Sequence, residues 1–242
     1  MPDPLFAAPR LAEIYDVLEG ERDDLHHYLA LAAELGARSV LDVGCGTGTF
    51  ACLLADRGIE VVGVDPASAS LDIARAKPGA QRVLWVLGDV TSLPELQVDL
   101  ATMTGNTSQV FLTDEEWTAT LRGIYAALRA GGHLVFEVRD PARKAWLDWN
   151  REATYVSREI PGVGGVETWY DATEVNGEYV SYRRTYVFAA DGTTLTSDST
   201  RRFRSRTGIE GSLRSAGYTL VSVRDAPDRP GRELVFIARR TA

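Results

Sequence analysis

The sequence predicts an α/β fold in which a mostly parallel, doubly wound sheet is covered by helices on both faces. Three observations predict it. Apolar strand-like runs alternate with segments of helical spacing between residues 36 and 139. The first run, Val40-Leu41-Asp42-Val43, passes into Gly44-Cys45-Gly46-Thr47-Gly48, three glycines at alternate positions, and then into a helix-like segment. The next two runs each end in a carboxylate, Asp65 and Asp89. Such sheets bind ligands at the carboxyl ends of their strands, where all these residues fall.

Each element follows from its pattern. Leu11, Ile14, Tyr15 and Leu18, then Leu25, Tyr28, Leu29, Leu31, Ala32 and Leu35, have helical spacing broken at Gly20, so two helices precede the sheet. After the glycines, Phe50, Ala51, Leu53, Leu54 and Ala55 continue as a helix to near Gly58. The strand Ile59–Asp65 follows, then a helix over Ser68–Ala76 before Pro78-Gly79, and the strand Arg82–Val90. Val98–Thr104 is a fourth strand. Thr113 and Glu116 form a capping-box pattern opening a helix to Leu128, and Gly131-Gly132 leads into a fifth strand, His133–Val138.

Between Tyr155 and Arg206 the period changes to two. Val166–Tyr170, Tyr179–Phe188 and Thr194–Ser197 read as strands, with Asn176-Gly177 and Asp191-Gly192 as hairpin turns, so an antiparallel insertion follows the fifth strand. Thr207–Ala216 reads as a helix, Thr219–Val223 and Glu233–Ala238 as two last strands.

Composition narrows the function. The 242 residues suit one large α/β domain with an insertion, and 45% hydrophobic with 25% charged residues is ordinary for a globular protein. No run reaches the roughly 18 apolar residues of a membrane span, and the N-terminus lacks the basic and apolar regions of a secretory signal, so a cytoplasmic location is expected. Cys45 and Cys52 lie in and just after the glycine turn, where a disulfide has little to constrain; no metal site is expected. A net charge of −8 gives no general attraction to nucleic acid. The arginines at 183, 184, 201, 202, 204 and 206 read as a solvated strand face balanced by acids.

A dinucleotide fingerprint needs glycine at its sixth position, where this chain has Thr49, so the spacing argues against NAD. At these residues the chain resembles the class I S-adenosylmethionine-dependent methyltransferases, whose first motif reads much like Asp42-Val43-Gly44-Cys45-Gly46-Thr47-Gly48. The carboxylates of Asp65 and Asp89 at the next two strand ends add to the likeness. It covers residues 36–139 and, in outline, 207–239. It implies a seven-stranded, Rossmann-like sheet closed by a C-terminal hairpin, with the final strand antiparallel to the rest. It divides the chain into N-terminal lid helices (1–35), a cofactor-binding core (36–139), an acceptor-side insertion (140–206) and a C-terminal helix and hairpin (207–242).

The resemblance also assigns residues. Asp65 would accept hydrogen bonds from the vicinal ribose hydroxyls of S-adenosylmethionine, although with Pro66 it also suits the cap of the following helix. Asp89 and Val90 fall where the family holds adenine. Asp42 either orients the N–H groups of the glycine loop or reaches the amino-acid end of the cofactor. With Gly44, Cys45, Gly46, Thr47, Gly48, Thr104 and Gly105 these make up the expected cofactor set. The loop Thr104–Gln109 would face the methyl group, with Asn106 supplying a polar but uncharged side chain. It lacks both the Asn/Asp-Pro-Pro-aromatic pattern of DNA amino-methylating enzymes and the paired acids of aminopropyl transferases.

Tyr15 is a candidate lid residue over the cofactor, or a core contact beside Ile14 and Leu18. Arg139 is placed to pair with an acidic substrate group or with Asp140. Trp169, Tyr170, Tyr182, Arg183 and Tyr186 are candidate walls of an acceptor pocket, at most half of them serving because alternate residues face opposite ways. His26 and His27 have no partner at a telling spacing, and His133 lies at the wrong end of its strand. The expected activity is in-line methyl transfer to a small-molecule acceptor, with an amine or amino-sugar nitrogen as the narrower expectation, by a monomer or homodimer. The rival readings are a cofactor-binding sensor without turnover and a methyltransferase acting on a macromolecule.

Overall fold

The apolar runs become strands: β1 (Ser39–Val43), β2 (Glu60–Asp65), β3 (Val83–Leu87), β4 (Val98–Met103) and β5 (Leu128–Arg139). The insertion supplies β6 (Val156–Ile160), β7 (Gly164–Asn176), β8 (Tyr179–Phe188) and β9 (Thr194–Arg202), and the chain continues to β10 (Tyr218–Asp225) and β11 (Glu233–Arg240). The helices are α1 (Pro4–Ala7), α2 (Pro9–Glu19), α3 (Asp24–Glu34), α4 (Thr49–Ala55), α5 (Ser68–Ala76), α6 (Asp114–Ala127), α7 (Arg151–Thr154) and α8 (Arg206–Ser215). This is a computed structural model that describes residues 2–241; Met1 and Ala242, the outermost bounds of the expected segments, lie outside the described residues.

Seven strands form one sheet in the order β10-β11-β5-β4-β1-β2-β3. The pairings from β5 to β3 are parallel, while β11 runs antiparallel to both β5 and β10, so the expected mixed sheet is present. The chain winds outward from β1 toward β3 and then returns to place β4 on the other side of β1. That reversal leaves an open crevice at the carboxyl end of β1, the place where the glycine turn begins.

Period-two alternation distributes the strand side chains between two cores. Leu41, Ala101, Phe136 and Phe236 face Trp117, Leu121 and Ile124 of α6 and Ile209 and Leu213 of α8. Val40, Leu100, Val135 and Ile237 face Leu25, Tyr28 and Leu31 of α3 and Phe50 and Leu54 of α4. The capping box opens α6: Thr113 accepts the Glu116 N–H and Glu116 reaches back to the Thr113 N–H.

A second sheet, β6-β7-β8-β9, is antiparallel throughout. Leu11, Ile14 and Leu18, one face of α2, bury themselves with Leu5 against Ile160, Val166, Tyr186 and Phe188 of this sheet. Each such apolar side chain contributes about 1.5–3 kcal/mol, so the N-terminal helices and the insertion are held to one another as a unit over the main sheet.

Three features depart from the sequence pattern. β6 was not expected because it is an edge strand, its Ser157, Arg158 and Glu159 exposed and only Ile160 buried. Short α1 and α7 lack the length that periodicity needs. The fifth strand begins at Leu128 rather than His133, and Gly131-Gly132 lie inside it beside a register shift against Val98–Leu100. A Cβ on Gly132 would stand 3.0 Å from the Arg129 carbonyl and 3.1 Å from that of Asp99, which is why glycine occupies the bulge. Among the described residues no helix is long and apolar enough to cross a membrane.

Candidate cofactor and acceptor site

The crevice is made first by backbone. Gly44 has φ +72° and a Cβ there would come 2.5 Å from Thr107 Cγ2; Gly48, at φ +76°, would strike the Trp85 indole at 2.4 Å. Gly46, at φ +54°, faces open space within 4 Å. Two of the glycines are thus demanded by neighbours, and the middle one leaves room above the main chain.

Asp65 ties this turn to the start of α5. Its Oδ2 accepts the Gly46 N–H and its Oδ1 the Ala67 N–H, both at 2.8 Å. Asp65 faces the turn but does not cap α5, whose N-cap is Ala67 with no side-chain cap; burial raises its pKa and the two N–H donors restrain the rise. Pro66 beside it is exposed. Asp42 is buried beneath the turn, where Oδ1 accepts the Thr102 hydroxyl at 3.1 Å and Oδ2 has no partner among the described residues. Burial pushes it up to about 7. Cys45 turns its sulfur to Gly63 of β2, 3.0 Å from where a Cβ would lie, and burial raises its thiol pKa.

At the third strand end, exposed Asp89 accepts the Thr91 N–H at 2.8 Å and the Thr91 hydroxyl at 2.6 Å. Val90 points inward against Gly123 of α6. The turn is covered from above by α2: Thr47 donates to Asp16 Oδ1 at 2.6 Å, and Lys77 bridges Asp16 Oδ2 and Thr49 Oγ1, each at 2.7 Å. Neither Asp16 nor Lys77 was singled out by the sequence, because they meet only when α2 folds over the sheet.

Between the sheet edge, α2, α3 and the inner face of the insertion lies a cavity of about 300 Å³. Asn106, in the left-handed region at φ +60°, lines it together with Gly105. Thr104, half-buried, accepts the Thr107 hydroxyl at 2.8 Å. Asn106 donates Nδ2–H to Glu233 Oε1 at 3.2 Å, which fixes the amide orientation and leaves its buried Oδ1 without a partner among the described residues. Beside it Glu137 of β5 is buried, accepting the Asn106 N–H at Oε1 and the Tyr28 hydroxyl at Oε2. Burial pushes this carboxyl up to about 7. Sequence reasoning missed Glu137, whose signal was a lone acid within the apolar run Leu134-Val135-Phe136-Glu137-Val138.

Tyr15, Arg139, Tyr170 and Tyr182 also line the cavity. Tyr15 packs against Phe6 with ring centroids 5.5 Å apart, and burial raises its hydroxyl pKa. Arg139 approaches Glu233 at 3.7 Å and not Asp140, whose Oδ1 instead accepts the Ala142 N–H. Glu233 lies directly opposite Arg139 on β11, a cross-strand pairing invisible to local spacing. Three expected wall residues lie elsewhere. Tyr186 is fully buried in the contact with α2, Trp169 donates to Asp171, and exposed Arg183 pairs with Asp198. Arg184 and Arg201, on the same face as Tyr182, take their place.

Fold and crevice define an α/β protein with an open glycine turn at the carboxyl end of β1, where Gly46 leaves room, Asp65 is an anchored carboxylate and Asp42 an unsatisfied acceptor among the described residues. Residues 40–132 match the family model described as a methyltransferase domain. Among curated proteins, the chain is 35% identical over 146 residues to the cypemycin N-terminal methyltransferase of a Streptomyces species, covering 59% of this chain and 60% of that protein. The chain thus spans less than two thirds of that relative's length. Among solved structures, the CcbJ methyltransferase of Streptomyces caelestis is 26% identical with a TM-score of 0.77, covering 96% of both chains. The amino pentose methyltransferase CalS10 of Micromonospora echinaspora, solved with S-adenosylmethionine bound, shares the fold at 23% identity and a TM-score of 0.69, covering 91% of this chain and 92% of that one. Over residues 40–132 the chain carries a methyltransferase domain, and it has the fold of the S-adenosylmethionine-dependent methyltransferases.

Proposed function

We propose that this chain moves the methyl group of S-adenosylmethionine onto an amine nitrogen of a small molecule held in the cavity. The observation that carries this reading is the pairing of Asn106 Oδ1 and Glu137, an unpartnered acceptor and a carboxyl held near neutrality, on the loop and strand that border the glycine turn. When bound, S-adenosylmethionine supplies an already activated methyl group, so the protein's task is alignment and proton management.

Gly46 leaves space for the cofactor over the turn, Asp65 offers its remaining lone pairs to ribose hydroxyls, and Asp89 with Val90 borders the adenine end. Asp42, Cys45, Thr47, Pro66, Thr104 and Gly105 complete the surroundings. Asp16 and Lys77 hold α2 across the turn, and Tyr15 on that helix excludes water from the shared wall. Asn106 Oδ1 accepts an N–H of the acceptor and orients its lone pair. Glu137, directly or through the Tyr28 hydroxyl, takes the proton that the nitrogen must lose. In this reading residues 1–35 are the lid, 36–139 the cofactor core, 140–206 the acceptor wall and 207–242 the closing segment. The protein acts in the cytoplasm, as monomer or homodimer, on a small molecule rather than on nucleic acid. A nitrogen acceptor is in keeping with the similarity to CalS10, an amino pentose methyltransferase, and to the cypemycin N-terminal methyltransferase.

The test is calorimetric titration with S-adenosylmethionine and S-adenosylhomocysteine, with NAD as control, followed by S-adenosylhomocysteine release over panels of amines, amino sugars and hydroxylated metabolites. Micromolar binding that Asp65→Ala abolishes, with turnover confined to amines, is the expected result. Preference for NAD, or turnover on hydroxyl acceptors alone, would overturn the reading.

A further inference from the structure

Four of the five arginines lining the cavity hold a carboxylate at 3.0 Å or less. Arg22 meets Asp24 at 2.7 Å, Arg184 meets Glu19 at 2.8 Å, Arg201 meets Asp3 at 3.0 Å and Arg229 meets Glu233 at 2.6 Å. Arg139 is the fifth arginine of the lining. Its one carboxylate neighbour, 3.7 Å away, is Glu233, which already takes Arg229 and the Asn106 amide. Among the described residues the Arg139 guanidinium makes no side-chain hydrogen bond, although it carries five N–H donors. Its side chain is one-quarter exposed, with Trp149 beneath it at 5.6 Å. The reciprocal case is Glu137, a buried carboxyl that among the described residues receives only neutral donors, Tyr28 and Asn106, and has no cation within ion-pair distance.

Glu137 and Arg139 are alternate residues of β5 and so share one face, their Cα atoms about 7 Å apart. They do not pair with each other among the described residues. Unused guanidinium donors and a buried carboxyl that meets no cation leave hydrogen-bonding and charge capacity facing the cavity, which an occupant carrying the complementary groups would satisfy.

From Arg139, whose guanidinium donors are unused and whose one acid is shared, and the cation-free Glu137 on one strand face, we infer that the acceptor is an amino acid in the general sense. It carries an amine, received at Glu137 and Asn106 Oδ1, and an anionic group, carboxylate or phosphate, received by Arg139. The inference rests on the transfer reading for the identity of the reacting nitrogen, whereas the binding claim is separable from it. Arg139 is a specificity residue: it holds the far end of the acceptor while the methyl group is exchanged at the near end.

Binding is read by calorimetry on the wild-type protein, saturated with S-adenosylhomocysteine and separately without it, using three probes that share a four-carbon chain: 4-aminobutyrate, butylamine and butyrate. Glycine, β-alanine and 6-aminohexanoate extend the series to other charge separations. 4-Aminobutyrate should bind about tenfold or more tightly than either single-charge probe, the scale of one charge-assisted hydrogen-bonded pair. Arg139→Met should erase its advantage over butylamine, and Arg139→Lys should keep part of it. 4-Phosphonobutylamine, used the same way, tells phosphate from carboxylate.

Equal affinities for 4-aminobutyrate and butylamine, an advantage that survives Arg139→Met, or no millimolar binding of any probe would overturn the inference. Failure of S-adenosylhomocysteine to bind would count against the transfer reading alone, because the probe comparison on the cofactor-free protein stands without it. If Arg139→Met does not fold, the wild-type comparison among the three probes decides.

Discussion

The glycine turn and the cavity lie side by side at one sheet edge, yet they are built from different material. The turn is made by main chain: left-handed glycines, strand-end carboxylates anchored by N–H groups, and residues close in sequence. The cavity is made by side chains brought from α2, α3, the loop after β4, β5, the insertion and β11. Backbone constraints tolerate few residue types, so the turn has a stereotyped sequence. Side-chain walls only need the right sum of shape and charge, which many sequences supply.

This difference can be broken from either side. Glu137→Gln should lower turnover about 10²–10⁴-fold, the usual contribution of a positioned acid or base, and leave S-adenosylhomocysteine affinity within about twofold. Wild-type rate should rise with pH through about 7, where burial holds this carboxyl, and the variant should lose that inflection. An unchanged pH profile would remove Glu137 from the chemistry. Gly44→Val acts on the other half. A branched side chain at φ +72° and against Thr107 should weaken cofactor binding about 10–100-fold, read by titration, and lower the unfolding midpoint in the same protein.

The two halves also share an acid–base signature. Asp42 under the turn and Glu137 in the cavity are both raised by burial to about 7. A carboxyl whose folded pKa lies above its unfolded value binds more protons when folded. Its contribution is therefore fully present at pH below the ordinary carboxylate range and is lost as pH rises through about 7. The unfolding free energy of the ligand-free protein, read from denaturant titrations, should fall between about pH 5 and pH 8 by about 1–3 kcal/mol per group, and Glu137→Gln should flatten part of that fall.

The smallest effect belongs to the join between the halves. Asp16→Asn breaks the ion pair to Lys77 while keeping an acceptor for Thr47, so the cofactor KM should rise about fivefold with little change in kcat. A kcat loss without a KM change would show that α2 bears on the chemistry rather than on cofactor retention.

The same division explains what could be read in advance. The core strands, α5 and the hairpin turns at Asn176-Gly177 and Asp191-Gly192 follow from period, glycine and cap signals within a few residues. The turn residues 42–48 and Asp65 were legible for the same reason. Edge strand β6 was not, because only Ile160 of its five residues is buried. Glu137 was not, because an acid in an apolar strand declares itself only once Asn106 and Tyr28 are seen to donate to it. Arg139 was legible as a residue facing the cavity, but its partner on β11 lies 94 positions further along the chain and is set by strand register.

That register has a consequence for how the protein comes into being. β11 is inserted between β10 and β5, so the central sheet stays divided until the chain has been synthesised almost to Arg240. Glu233, the carboxylate that orients Asn106 and engages Arg229, emerges from the ribosome long after β5 and the loop it completes. The glycine turn and its three parallel strands β1, β2 and β3 are complete long before, and a nascent chain exposes the raw edge of β5 meanwhile. Ribosome-stalled chains ending just before β11 would therefore carry a formed turn beside an unfinished cavity, and would be the species most in need of a chaperone.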